Sequence, residues 1–361
     1  MLPSATRDVH IESTTPLITP IDLVNKHPIT SQVERIVESG RDQVRDILNG
    51  KDPRLMIIVG PCSIHDEDAA LDYARRLVKL SQRLSDRLLI VMRVYFEKPR
   101  TTIGWKGYIY DPDLDGTLDI ETGLNRARAL LLKIGEMGMY AGTEFLDPVV
   151  PQYLAGLVTW STIGARTTES QTHRQMASGL SMPVGFKNGT GNSIQLAVDA
   201  VVSAQASHGF LGVDSEGQAA VVITKGNPDC HVVLRGGSRG PNYNADSIAE
   251  AVALIQRAGL RTQLVVDCSH GNSDKDYTKQ SIAFRSSVEQ RLNGNANIAG
   301  LMLESHLIEG GQKLDESDPS KLQYGISITD TCIGWEETVG LLTDTYDAMS
   351  GSKTTAQSTS R

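Results

Sequence analysis

The chain has few cysteines, no long apolar run and no excess of basic charge, and each shortage removes a class of protein. Its 361 residues include four cysteines, Cys62, Cys230, Cys268 and Cys332. These are too few and too scattered for a disulfide framework or a CxxC zinc knuckle. A reducing, cytoplasmic setting is therefore expected. No stretch approaches the roughly 18 consecutive apolar residues of a membrane span. The opening MLPSATRDVHIEST lacks the basic-then-apolar order of a secretory signal, so a soluble, unexported protein is expected. Lys and Arg number 35 against 43 Asp and Glu, a formal charge of -8. That balance disfavours nucleic acid or a membrane surface as partner, and any anion site must be local. Internal repeats and low-complexity segments are missing too.

What is there is enough apolar material, 40% of residues, for a sizeable core: one large α/β barrel or two ordinary domains. Short apolar runs that suit buried parallel strands occur at Leu55–Gly60, Leu89–Tyr95, Tyr140–Phe145, Leu157–Ile163, Pro183–Lys187, His231–Arg235, Gln263–Cys268 and Gly300–Glu304. Stretches of helical period separate most of them, at Asp66–Ser85, Glu121–Gly138, Ser193–Ala206 and Asp246–Ala258. Eight strands alternating with helices predict a closed (β/α)8 TIM barrel over residues 51–350. Two segments stand outside the alternation. Residues 1–50 form an N-terminal extension with a helix expected over Ser31–Leu48. Residues from about 208 to 224 read as an inserted β-hairpin around Ser-Glu-Gly, ahead of the sixth barrel strand. The polar tail, 351–361, is expected to fray.

Chemistry in such barrels sits at the C-terminal ends of the strands, so what each strand delivers there is the test. In order, the predicted strands lead to Cys62, to Arg93 and the segment Glu97-Lys98-Pro99-Arg100-Thr101, to Glu144, Arg166, Lys187, Arg235, His270 and Glu304. Taken singly, an Arg or Lys is usually a solvated surface charge and a Cys a small buried hydrophobe. Arg93, Lys98, Arg166, Lys187 and Arg235 together, in a chain of net negative charge, imply a strongly anionic ligand held by guanidinium forks and ammonium groups. Cys62, His270 and Glu304, with an Asp from the following loop, mix soft, borderline and hard donors that can hold a divalent transition metal. They read equally as a packed thiol, a hydrogen-bonded loop histidine and an ion-pair partner of an arginine.

The strings GPCSIHD from Gly60, MRVYFEKPRTTIGWKG from Met92, IGARTTESQ from Ile163 and PVGFKNGT from Pro183 are joined by LRGG from Leu234, DCSHGNS from Asp267, ESH from Glu304 and SITD from Ser327. Together they resemble the class I 3-deoxy-D-arabino-heptulosonate-7-phosphate (DAHP) synthases of the feedback-regulated branch, from about residue 10 to 348. The resemblance implies condensation of phosphoenolpyruvate with erythrose 4-phosphate. It implies one divalent metal (Mn, Fe, Co, Zn or Cu) on Cys62, His270, Glu304 and Asp330. Phosphoenolpyruvate would meet Arg93, Lys98, Glu144, Ala165, Arg166, Lys187 and Arg235; erythrose 4-phosphate would meet Lys98, Pro99, Arg100, Thr101 and Asp330. Lys98 would protonate the developing alkoxide, and Glu144 or His270 would shuttle the water proton.

The family's inhibitor pocket maps onto Pro151, Gln152, Met176, Leu180, Ser181, Phe210, Gly212 and Val222, with the N-terminal arm of a neighbouring subunit, which implies a homodimer or homotetramer. Phenylalanine-sensitive relatives carry Ser at the position of Gly212; glycine leaves room for the phenol oxygen of tyrosine, so tyrosine is the expected inhibitor. One departure is Gly191-Asn192, where relatives usually have Asp-Gly, which puts the shape of that loop in question. Three other readings are an arabinose 5-phosphate synthase of the same fold, opposed by Lys98–Thr101, a Schiff-base aldolase using Lys187, and a catalytically silent amino-acid-binding barrel.

Overall fold

The structure, a computed structural model, describes residues 6–356. Strands β1 (Leu55–Gly60), β2 (Leu88–Arg93), β3 (Tyr140–Glu144), β4 (Trp160–Ile163) and β5 (Val184–Lys187) precede a two-stranded hairpin, β6 (Gly209–Val213) and β7 (Ala219–Ile223). Then come β8 (His231–Leu234), β9 (Leu264–Asp267) and β10 (Ile298–Glu304). Apart from the hairpin, the strands pair in parallel and close on themselves in the order β1-β10-β9-β8-β5-β4-β3-β2. All eight expected barrel strands form.

Period-2 alternation divides each strand between two cores. Met56 and Ile58 of β1 pack with Leu89, Val91, Trp160, Val233, Val265 and Met302 in the barrel interior. Leu55, Ile57 and Val59 join the larger layer beneath the surrounding helices. Those helices begin where a side-chain oxygen is ready to accept a free backbone N–H: Asp66 from Ala69, Asp119 from Thr122, Asn244 from Ser247. Such caps are worth about 1 kcal/mol each. No helix among the described residues is long and apolar enough to cross a membrane.

The extension closes the floor. Its helix, Ser31–Leu48, has the expected bounds, and Val44, Ile47 and Leu48 complete the interior cluster from below. Arg41 holds it in place by donating to the Ala155 carbonyl at 2.7 Å and the Val158 carbonyl at 3.0 Å. A Cβ at Gly40 would stand 2.6 Å from the Tyr140 ring, so only glycine permits that approach. A short helix before it, Pro20–Lys26, reaches the hairpin turn through Ile21 N donating to Ser215 O at 2.9 Å.

The hairpin pairs Phe210 with Val222 and Gly212 with Ala220. Asp214 accepts from the Glu216 and Gln218 amides to shape its turn. At the other end the closing helix, Trp335–Ala356, runs six residues into the segment expected to fray, and residues 357–361 lie outside the described residues.

Candidate active site

Eight parallel strands bring their C-terminal ends to one rim, which encloses a cavity of about 790 Å³. Cys62 follows β1, Arg93 closes β2, Glu144 closes β3, and Ala165 and Arg166 follow β4. Lys187 closes β5, Arg235 follows β8 and His270 follows β9. All line the cavity, with Lys98, Pro99, Arg100 and Thr101 from the segment after β2 and Asp330 from the loop after β10. Glu304, the last residue of β10, lines an adjoining recess with His270 and Asp330.

Two of the cations, Arg93 and Lys187, are held by buried carboxylates. Lys187 Nζ lies 3.3 Å from Glu144 Oε2 and 3.4 Å from Asp267 Oδ2. Burial alone would lower its pKa, but Glu144 and then Asp267 outweigh burial and raise it, so the ammonium stays charged. Glu144 is in turn kept ionised, because Lys187 and Lys98 overcome its burial and lower its pKa. Arg235 makes one marginal side-chain contact, Nη1 to Gly236 O at 3.4 Å, and burial lowers its pKa. It is a desolvated guanidinium facing the cavity, ready for an anion.

Sulfur and carboxylate oxygen meet beside these cations. One donor atom each from Cys62, Glu304 and Asp330 lies within 4.8 Å of the others, close enough to share one ion. His270 Nε2 is 3.7 Å from Glu304 Oε1, while its Nδ1 is 2.9 Å from Asp267 Oδ2 and 2.8 Å from Ser269 Oγ. A partner on Nδ1 that leaves Nε2 turned to the donor cluster is how proteins orient a metal-binding imidazole. His270 adopts φ 56, a left-handed conformation uncommon for a non-glycine residue. Lys98 Nζ donates to Cys62 Sγ at 3.0 Å. Burial and the Glu304 charge push the Cys62 thiol up to about 11, against the pull of Lys98. These donors fit a divalent transition metal, whose charge would reverse that shift and favour thiolate.

The eight residues assigned to an inhibitor pocket lie away from the cavity, on three elements. Pro151 and Gln152 open the short helix Pro151–Leu154, Met176 lies in the helix Gln171–Gly179 with Leu180 and Ser181 just beyond it, and Phe210, Gly212 and Val222 are on the hairpin. Ser178 and Thr224 hydroxyls, 2.7 Å apart, join that helix to the hairpin base. Phe210, Gly212 and Val222 share the half-buried hairpin face; Leu211, Val221 and Ile223 form the exposed one. Gly212 is not among the positive-φ residues, so the hairpin backbone does not require glycine there.

Several cavity residues escaped the sequence reading. Tyr95 lies beneath three cations, with Arg93 Cζ 3.9 Å, Lys98 Nζ 5.5 Å and Lys187 Nζ 5.9 Å from its ring centre. Asp267 anchors both His270 and Lys187. Thr190, Ser238 and Lys275 also line the wall. A one-residue offset from a predicted strand end marks Asp267, three before His270; nothing local marks the others.

The sequence profile of the DAHP synthetase I family matches residues 26–343. The chain is 51% identical over 354 residues to the Tyr-sensitive phospho-2-dehydro-3-deoxyheptonate aldolase of Escherichia coli (strain K12), covering 98% of this chain and 99% of that one. To the Phe-sensitive enzyme of the same strain it is 50% identical over 342 residues, 95% and 97% of the two chains. Among solved structures, the phospho-2-dehydro-3-deoxyheptonate aldolase from Francisella tularensis SCHU S4 superposes with a TM-score of 0.91 at 45% identity, covering 94% of this chain and 98% of that one. A match that runs from the floor helix to the closing helix leaves no part of the barrel unaccounted for, and the chain belongs to the DAHP synthetase I family.

Proposed function

We infer that the protein is a 3-deoxy-7-phosphoheptulonate synthase, joining phosphoenolpyruvate, erythrose 4-phosphate and water into DAHP and phosphate, the first step toward the aromatic amino acids. The observation that carries this reading is the meeting of Arg93, Lys98, Arg166, Lys187 and Arg235 with the Cys62, Glu304 and Asp330 donors in one region. Two polyanions repel each other, and a wall of fixed cations removes that barrier while holding them at reacting distance.

In this reading Arg166, Lys187 and Arg235, beside Ala165, take the phosphate and carboxylate of phosphoenolpyruvate, with Arg93 beneath. Arg100 and Thr101, following Pro99, take the sugar phosphate, and Asp330 faces the sugar's reacting end. Arg100 Nε donates to Trp105 O at 2.7 Å and Lys98 N to Lys106 O at 2.9 Å, which folds this segment back on itself and steadies it. Cys62, His270, Glu304 and Asp330 are the residues that would hold the divalent ion, which when bound supplies Lewis-acid polarisation of the aldehyde. C3 of phosphoenolpyruvate bonds to the aldehyde carbon, and Lys98 gives a proton to the oxygen that becomes a hydroxyl. Water adds at C2, Glu144 takes its proton, and phosphate departs with the former enol oxygen. Glu144 suits that task better than His270, because it is kept ionised while His270 Nδ1 is engaged by Asp267 and Ser269.

A Schiff-base aldolase needs a neutral lysine amine, and Lys187 between Glu144 and Asp267 is held as ammonium, which disfavours that rival. Feedback inhibition fits the elements outside the barrel. Identities of 51% to a Tyr-sensitive and 50% to a Phe-sensitive relative do not choose the inhibitor; Gly212 favours tyrosine. The hairpin leaves Leu211 89% exposed, and Val9 and Ile11 of the arm are exposed too, apolar surface suited to burial in a homodimer or homotetramer. Four free, buried cysteines fit a cytoplasmic enzyme.

The test is phosphoenolpyruvate consumption by metal-reconstituted protein with erythrose 4-phosphate or arabinose 5-phosphate, with and without chelator and each aromatic amino acid. Loss of phosphoenolpyruvate only with erythrose 4-phosphate, stopped by chelator and slowed by tyrosine, supports the whole reading. No turnover with either sugar sinks it.

A further inference from the structure

Four asparagines from three segments of the rim, the loops after β5, β8 and β9, bond to one another behind the cation wall. Asn188, next to Lys187, accepts from Arg235 N at 2.8 Å and from Asn242 Nδ2 at 3.1 Å, and donates to Gly236 O at 2.9 Å. Asn242 accepts from Gly236 N at 2.7 Å and receives its own fixing from Asn272, whose Oδ1 accepts from Asn242 N at 2.7 Å. Asn272 donates onward to Asp267 O at 2.8 Å and Leu234 O at 3.2 Å. Every one of these three is buried.

Asn192 completes the set from the loop after β5. Its Oδ1 accepts from Asn242 Nδ2 at 2.8 Å and from Asn188 Nδ2 at 3.4 Å, and its Nδ2 donates to Gly240 O at 3.4 Å. It does so from φ 68, the left-handed region, which asparagine tolerates better than other side chains. The same loop is stitched to the one after β8 by Ser238 N donating to Thr190 O and Arg239 Nε donating to Gly191 O, both at 2.9 Å. A Cβ on Gly237 would stand 2.6 Å from Asn192 N, so the two loops interlock at backbone distance.

We propose that Asn192 is a positioning residue for the anion-binding edge of the cavity, fixing Arg235, Lys187 and the Thr190 and Gly237–Ser238 wall through the amide network that it closes. The proposal rests on the phosphoenolpyruvate reading of that edge. Among the described residues Arg235 is held through its backbone amide by Asn188, and its guanidinium reaches Gly236 O at 3.4 Å, so its aim depends on the turn that carries it. Amides satisfying one another in a dry site give a rigid, uncharged frame that does not compete for the ligand's charge. Preorganisation of this kind appears in ligand affinity, because ordering is complete before binding.

Asn192→Gly removes the amide and keeps the left-handed backbone without strain. The expected result is about tenfold weaker phosphoenolpyruvate binding, because the edge must then be ordered at the moment of binding, read by calorimetry with phosphoenolpyruvate alone. KM for phosphoenolpyruvate rises in parallel, while kcat, KM for erythrose 4-phosphate and the melting temperature stay close to wild type. Asn242→Asp, which keeps the acceptor for Gly236 N and loses the donations to Asn188 and Asn192, should weaken the same binding, and the double variant should lose less than the sum. Equal affinity in wild type and Asn192→Gly overturns the proposal, as does a uniform fall of every parameter together with melting temperature. A wild-type protein that binds no phosphoenolpyruvate overturns the site reading itself and the proposal with it.

Discussion

Arg93 and Glu304 form an ion pair with almost no access to water: Nη2 stands 3.1 Å from Oε1, and the two side chains are 1% and 2% exposed. Arg93 also donates to the carbonyls of Pro61 at 3.3 Å and Cys62 at 3.4 Å, so its fork ties β10 to the turn that carries the thiol. A lone buried carboxylate is costly, and removing one partner of such a pair typically destabilises by about 3–5 kcal/mol. Arg93→Met is therefore expected to lower unfolding free energy by that order in denaturant titrations, and to abolish turnover. Arg93→Lys should recover part of the stability and little of the activity, since an ammonium reaches Glu304 without the fork. Unchanged stability in Arg93→Met would show that Glu304 is already neutralised by something else.

Asp267 acts on the site through two neighbours, His270 Nδ1 at 2.9 Å and Lys187 Nζ at 3.4 Å. Replacing the carboxylate partner of a metal-binding histidine commonly weakens metal affinity about 10–100-fold. Asp267→Asn should show a drop of that size in competition with a chromophoric chelator, and Cys62→Ser a larger one. Metal-stripped wild type should regain turnover on adding manganese or cobalt. Metal retention by Asp267→Asn equal to wild type would remove His270 from the ligand set or Asp267 from its support.

Why the barrel was legible in the sequence and parts of the site were not follows from how each was encoded. β1 and β10 are buried at every position and appear as short runs rich in Val, Ile, Leu and Met, whereas β3 and β4, YAGTE and WSTI, carry polar residues inside the run; the strand ends name Cys62, Arg93, Glu144, Lys187 and Glu304 directly. The helix Gln280–Leu292 was missed because polar Gln280 and Ser287 sit on its buried face and erase the apolar stripe. Gln280 is there to serve Glu304, donating to its carbonyl at 3.0 Å and accepting from its amide at 2.8 Å. Tyr95 and the asparagine network carry no linear signature, since what they do depends on neighbours brought from distant strands. In the sequence the Gly191-Asn192 departure raises a question only of loop shape; the left-handed backbone and three side-chain contacts of Asn192 appear only in three dimensions.

Gly212 on β6 lies opposite Ala220 and diagonal to Val222, and an added Cβ would lie 2.8 Å from Val222 Cγ2. A serine there must push that methyl group aside and places a hydroxyl on the half-buried face. Gly212→Ser is expected to weaken tyrosine inhibition about tenfold, the scale on which a pocket senses one small group, and to admit phenylalanine. Turnover without inhibitor should be near wild type, because β6 is remote from the cavity. Inhibition curves with each amino acid decide it, and undiminished tyrosine inhibition would take Gly212 out of the inhibitor site.

At the opposite end of the barrel, Trp160 Nε1 donates to His231 Nε2 at 3.1 Å, and His231 Nδ1 lies 3.2 Å from the Asp229 carbonyl. Only the neutral ring with its proton on Nδ1 satisfies both contacts. Burial pushes the pKa of His231 down to about 4 from the ordinary value of 6.5. The unfolded chain therefore binds a proton at higher pH than the folded one does. Stability from this site is complete above about pH 6.5 and falls as pH drops toward 4, by a total on the order of 3 kcal/mol. His231→Gln keeps an acceptor for Trp160 without a titratable ring. Melting temperatures of the two proteins should thus converge, and the wild-type curve steepen relative to the variant, between pH 6.5 and 4. Parallel curves across that window would mean that His231 is protonated in the folded barrel, and the Trp160 contact would then have to be broken.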